Sequence, residues 1–143
     1  MLEHVAEPVK VLASLQKRLN PQGRLFFSVP DAETNSGDLL VVDHLSHFTQ
    51  GSLNFALRRA GLTPIDIDTE SFSGAFVVTA TRGQPRSSPK EHDLSSILGS
   101  LKMWSDTLDW LSVTSMRAPI AIYGAGFYGS LAAAQRKDVF CFL

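Results

Sequence analysis

One cysteine among 143 residues excludes an internal disulfide. That residue, Cys141, lies in the apolar run Val139–Leu143, where a free thiol is expected to serve as a small buried hydrophobe. An unpartnered thiol carries no sign of an oxidising compartment, so a cytoplasmic protein is expected. Long apolar runs are also missing. None approaches the ~20 residues that cross a bilayer, and the first residues lack the charged-then-apolar pattern of a secretory signal. Neither sign of charge dominates, with 13 basic and 14 acidic side chains. The basic residues come in separated pairs, Lys17-Arg18, Arg58-Arg59 and Arg136-Lys137, and build no stripe that could follow a phosphate backbone. They read as solvated helix faces, and neither a nucleic-acid nor a membrane partner is expected. No internal repeat is present.

What is present is an alternation of helical and extended patterns, which points to an α/β fold. Pro8 suits a first helical turn, and Val9, Leu12, Leu15 and Leu19 follow at helical spacing. Asn20 to Gly23 ends that helix. Arg24–Val29 is a short apolar run of the kind buried on both faces of a parallel sheet. Pro30 stops it, and Asp31–Leu40 is a polar loop with a turn at Asn35-Ser36-Gly37-Asp38. Thr49 or Ser52 then caps a helix with Leu53, Ala56, Leu57 and Ala60 on its inner face, ended by Gly61. Pro64–Asp68 and Gly74–Thr81 read as an antiparallel strand pair on the sheet edge.

The segment 82–92, rich in proline, serine and charge, looks like a linker. It separates a first domain over 1–81 from a second unit over 93–143. Asp93 is expected to cap a helix with Leu94, Ile97, Leu98, Leu101, Leu108 and Leu111 along one stripe, a stripe that needs a partner surface. After a connection over 112–118, Pro119–Tyr123 is a strand, Ser130–Gln135 a helix and Asp138–Leu143 a further strand.

Two constellations could carry chemistry. In Asp43-His44-Leu45-Ser46-His47-Phe48 a carboxylate sits beside an imidazole, and imidazole titrates nearest neutrality. A loop histidine so placed can accept a proton. A purely structural reading has His44 and His47 fixing the loop. The i, i+3 spacing of the two histidines would permit a shared metal on a helix, but no third ligand lies nearby in sequence, and no metal site is expected. The second constellation is Gly124-Ala125-Gly126-Phe127-Tyr128-Gly129 between a strand and a helix, the context of a dinucleotide-binding loop. Its glycines would let the backbone approach a pyrophosphate at a helix N-terminus. The alternative is a loop that only packs strand on helix.

The order Gly23–Asp31, Asp43–Leu53 and Ala60-Gly61-Leu62, preceded by Leu2-Glu3-His4-Val5 and Pro8, resembles the carboxyl-terminal half of class I S-adenosylmethionine-dependent methyltransferases. The resemblance runs from the turn after strand four through strands five to seven, over residues 2 to about 81. Residues 93–143 resemble the start of the Rossmann-like unit that follows in sugar C-methyltransferase-like proteins. The resemblance implies a partial class I methyltransferase sheet followed by a second Rossmann-like βαβ unit. It also implies methyl transfer to a small molecule such as a nucleotide-linked sugar. Asp43 and His44 are then candidate base and orienter, with His47 beside them and His4 in the turn next to the cofactor. Some sugar C-methyltransferases carry a tyrosine near the acid-histidine pair. Here His47 and Phe48 flank it, so no tyrosine role carries over. The family's glycine-rich cofactor loop and its ribose-holding acidic residue would fall before Met1, so this chain alone is expected to show little or no methyl transfer. A different reading makes the chain a non-catalytic nucleotide-binding or interaction module using Gly124, Gly126 and Gly129. Self-association through exposed sheet edges is a further expectation.

Overall fold

The computed structural model describes residues 1–84, 94–114 and 119–142. The expected cap at Asp93, most of the linker over 82–92, residues 115–118 of the following connection and the final Leu143 lie outside the described residues. The chain forms two compact units, Met1–Ile97 and Leu98–Leu143.

The first unit opens with a 3₁₀ turn, Leu2–His4, and helix α1, Pro8–Arg18. Pro8 occupies the first helical turn, where its missing N–H costs nothing. Leu12 is fully buried and Val9 packs against the core at its edge. Strand β1, Arg24–Pro30, follows, and a second 3₁₀ turn, Ser36–Leu40, interrupts the loop after it. Helix α2, Gln50–Arg59, begins at a reciprocal cap. The Ser52 amide donates to Thr49 Oγ1 at 3.1 Å, and the Thr49 amide donates to Ser52 Oγ at 2.9 Å. Leu53, Ala56, Leu57 and Ala60 are buried, as their spacing requires. Gly61 then takes a positive φ of 77°, a conformation that costs glycine no steric penalty.

Strands β2, Leu62–Asp68, and β3, Ala75–Arg82, complete a three-stranded sheet in the order β1-β3-β2. The antiparallel pairing of β2 with β3 agrees with the sequence reading, but the pair is not confined to the edge. β3 is central, because its other side pairs antiparallel with β1 from Arg24–Thr81 to Pro30–Ala75. β1 and β2 therefore point the same way without touching, and every neighbouring pair is antiparallel. The expectation that β1 is a doubly buried parallel strand fails for the same reason. Its burial alternates, with Val29 in the core and Phe26 71% exposed. The core is the layer between the sheet and α1 and α2, built on Leu12, Leu53, Leu57, Leu62, Phe76 and Val78. Arg82, at the end of β3, donates to the carbonyls of Gln16 and Lys17 and satisfies the last turn of α1.

The second unit contains most of helix α3, Ser95–Val113, then β4, Ile120–Ile122, helix α4, Phe127–Ala134, and β5, Val139–Phe142. β4 and β5 pair in parallel, so β4-α4-β5 is a βαβ unit. α3 has no buried residue, and Leu98 and Leu101 on its expected stripe are exposed. Cys141 is half-buried instead of buried, because β5 lies on a two-stranded sheet with Phe140 82% exposed. Among the described residues no helix is long and apolar enough to cross a membrane. Overall the molecule is a mixed α/β protein with small sheets.

Candidate functional site

The chemistry-bearing side chains of the first unit gather where the loop after β1 meets the amino-terminal turn. Both ends of that loop are tied down. Asp31, buried, accepts from the Glu33 amide at 2.9 Å and from the Thr34 hydroxyl at 2.7 Å, and its own amide donates to the Gly74 carbonyl. The Ala32 amide donates to the carbonyl of buried Phe48 at 2.9 Å. Glu33 reaches forward to accept from the Gln50 amide at 2.8 Å, placing an anion at the start of α2, where the helix dipole favours it. The amino-terminal turn closes the other side. The Glu3 carbonyl accepts from the amides of Leu45 and Ser46 at 2.7 and 3.0 Å.

At the centre is Asp38, carried by the 3₁₀ turn, with 1% of its side chain exposed. His44 Nδ1 donates to Asp38 Oδ1 at 2.6 Å, and His47 Nδ1 donates to Asp38 Oδ2 at 2.7 Å. A carboxylate only accepts, so each ring presents Nδ1–H to Asp38, and in its neutral form each then carries its lone pair on Nε2. The His44 side chain is 13% exposed and that of His47 32%. His44 is thus the more desolvated of the two, with its Nδ1–H held toward Asp38. The His44 and His47 rings do not share a ligand point. Their ring centroids are 6.5 Å apart and both Nδ1 atoms converge on one carboxylate.

Asp43 stands elsewhere. Its side chain is 75% exposed and its carboxylate lies 3.2 Å from His4 Nδ1, which also meets the Asp43 carbonyl at 3.1 Å. The group that orients His44 is Asp38. His4 in turn sets its ring edge-on to His44, with centroids 4.8 Å apart. Glu3, 8% exposed, pairs through Oε1 with the Met1 ammonium at 2.7 Å. Burial works to raise the Glu3 pKa. The hydrogen bond from the Met1 ammonium, a backbone hydrogen bond and the nearby charges outweigh it and hold the carboxyl below its ordinary range.

Sequence reasoning singled out His4, His44 and His47 and missed Asp38, which holds His44 and His47. Asp38 sits in a five-residue 3₁₀ turn, too short for any periodicity, and its run Asn35-Ser36-Gly37-Asp38 has the composition of an exposed turn. The signal that could have found it is the Leu39-Leu40 pair that follows, since apolar residues directly after a turn draw its end inward.

In the second unit, Gly124 has φ 91° and Gly126 is the N-cap of α4. A Cβ on Gly129 would overlap the Gly124 carbonyl oxygen. Trp104 of α3 stacks on Tyr128 at 5.9 Å between ring centroids. Arg136 holds Asp138 with two hydrogen bonds, and this guanidinium keeps the Asp138 carboxyl below its ordinary range.

No curated protein matches the chain. Residues 1–67, which carry the amino-terminal turn, α1, β1, the Asp38 loop, α2 and most of β2, match the family model of a methyltransferase domain, and this match supports a class I S-adenosylmethionine-dependent methyltransferase domain over that part of the chain.

Proposed function

We propose that the first unit is the acceptor-side part of a methyltransferase for a small molecule, with a nucleotide-linked sugar methylated on carbon as the specific substrate class. The observation that carries this reading is the Asp38–His44 dyad, in which a buried carboxylate fixes Nδ1–H and leaves Nε2 free. S-adenosylmethionine supplies an electrophilic methyl group in such reactions. The described residues of the first unit do not fit that cofactor by themselves. Their positive-φ glycines, Gly61 and Gly74, sit after α2 and before β3, and neither opens a helix after a strand. What this chain contributes is proton handling at the acceptor. His44 Nε2 takes the proton from the carbon to be methylated, the C–H electron pair stays on the acceptor as a carbanion or enolate, and Asp38 stabilises the resulting imidazolium. His47, held by the same carboxylate and more exposed, borders the acceptor.

The reading is tested by proton exchange, which needs no methyl donor. A nucleotide-linked ketosugar incubated with the chain in D₂O is expected to lose its carbon-bound proton beside the carbonyl, followed by NMR. His44→Gln is expected to slow this by about 10²-fold or more, the usual contribution of a positioned base. Equal rates for the two proteins would refute the proton-acceptor role.

A second reading is favoured by the glycine loop. Gly124 supplies the turn, Gly126 the close backbone approach at the start of α4 and Gly129 the helix–strand contact, the division of labour of a phosphate-binding loop. In that reading the second unit is a Rossmann-like nucleotide-binding or interaction module.

A further inference from the structure

Glu3, His4 and His44 form a cluster that the proton-transfer reading does not use as a whole. One donor atom from each lies within 4.8 Å of the others. Each imidazole already has its Nδ1 engaged by an oxygen acceptor, His44 by the Asp38 carboxylate at 2.6 Å and His4 by the Asp43 carbonyl at 3.1 Å. That is how metal-binding histidines are held. The outer acceptor fixes the tautomer, aims the ring and raises the basicity of the other nitrogen. Both Nε2 atoms are then left as donors. His4 Nε2 stands 3.5 Å from Glu3 Oε1. Two ligands of a tetrahedral zinc ion at bond lengths of about 2.0–2.2 Å stand roughly 3.3–3.5 Å apart. A second observation concerns the other oxygen of the same carboxylate, since Oε1 already pairs with the Met1 ammonium at 2.7 Å. Glu3 Oε2 is the one buried side-chain polar atom without a hydrogen-bond partner among the described residues. A buried carboxylate oxygen left unpaired is costly, and a cation removes that cost.

We propose that Glu3, His4 and His44 form a binding site for a divalent transition-metal cation, with a His₂-carboxylate ligand set. Two imidazoles and one carboxylate suit zinc, cobalt or iron(II), whereas magnesium and calcium prefer oxygen alone. Three protein ligands leave a coordination position open for water or an oxygen of the acceptor. The remaining contraction falls on His4, whose side chain is 41% exposed and the least enclosed of the three ligands. Metal and proton compete for the same lone pair on His44, so occupancy of this site and proton acceptance by His44 exclude each other.

The test is titration of the 143-residue chain with Co²⁺, read by visible absorption, and with Zn²⁺, read by equilibrium dialysis. One equivalent per chain is expected. His4→Ala and Glu3→Gln should each weaken binding at least tenfold, and His44→Ala should abolish it. Glu70→Gln, a change on the exposed β2–β3 turn, should leave binding within twofold. Circular dichroism of each variant checks that it is folded. His4→Ala alters a partly exposed residue and carries the test if His44→Ala does not fold. Absence of saturable binding below millimolar metal, or equal affinity in wild type and His4→Ala, would overturn the proposal. Because no methyl donor or acceptor is present, its failure would leave the proton-exchange result standing.

Discussion

A carboxylate with 1% of its side chain exposed and an imidazole on each oxygen leaves little room for substitution at Asp38. Asparagine there keeps the shape but replaces one acceptor by an NH₂ group that faces an N–H. Asp38→Asn is therefore expected to destabilise the first unit by about 1–3 kcal/mol, the cost of a buried unsatisfied polar group. Urea denaturation measures it, and an unchanged midpoint would mean that the histidines do not depend on Asp38. At this scale the sequence showed which residue types could do chemistry and not which of them meet. His44 and His47 stood out because imidazole is the side chain whose ordinary pKa lies nearest neutrality and a carboxylate sits beside them in sequence. Asp43, adjacent in sequence, was the natural orienter. The backbone after the 3₁₀ turn instead carries its carboxylate outward to His4, while Asp38, six residues before His44, lies inside. That pairing is set by how the loop closes on the amino-terminal turn through the Glu3 carbonyl, a long-range contact that no local spacing encodes.

Elements with strong local signals were legible. α1 begins at its proline, and α2 begins at Thr49, with Ser52 completing the capping box. Both candidate caps named from sequence are thus used, one as the N-cap and one as its reciprocal partner. Thr49→Ala should cost about 1 kcal/mol, the usual loss for an N-cap side chain. Chemical denaturation of the variant checks it, and a loss below a few tenths would mean that tertiary packing alone starts α2. The sheet was legible only in part. Phe76, Val78 and Ala80 alternate in the same way whether β3 is an edge or a centre, because alternation reports the two faces of a strand and not its two sides. The central place of β3 follows from its pairing with β1 across more than forty residues of intervening chain. β1 looked doubly buried because Leu25, Phe26, Phe27 and Val29 are all apolar. The neighbour it finds is antiparallel, and Phe26 faces out.

The whole molecule reads as two α/β units, one with a methyltransferase-domain match over residues 1–67 and one built on a parallel βαβ turn. They separate the two ligand questions. The first unit has an imidazole site and no strand–glycine loop–helix element among its described residues. The second has that element and no comparable cluster of ionisable groups among its own. Calorimetry on the chain should therefore detect no micromolar binding of S-adenosylmethionine. A dinucleotide is the ligand that the proposed nucleotide-binding reading of the Gly124–Gly129 loop predicts. Heat from a dinucleotide that disappears in Gly126→Ala would support the module reading of the second unit. Micromolar S-adenosylmethionine affinity would contradict the assignment of the first unit to the acceptor side alone.

Proton transfer and metal binding both require one thing of the molecule, an unprotonated Nε2 on His44 held by Asp38. Two-bond ¹⁵N–¹H correlation spectra of the histidines at neutral pH report it directly. The expected spectrum has His44 and His47 as Nδ1–H tautomers, with Asp38→Asn releasing at least one of them to a tautomer mixture. A His44 ring protonated on Nε2 alone, or a tautomer unaffected by the loss of the Asp38 carboxylate, would contradict the account.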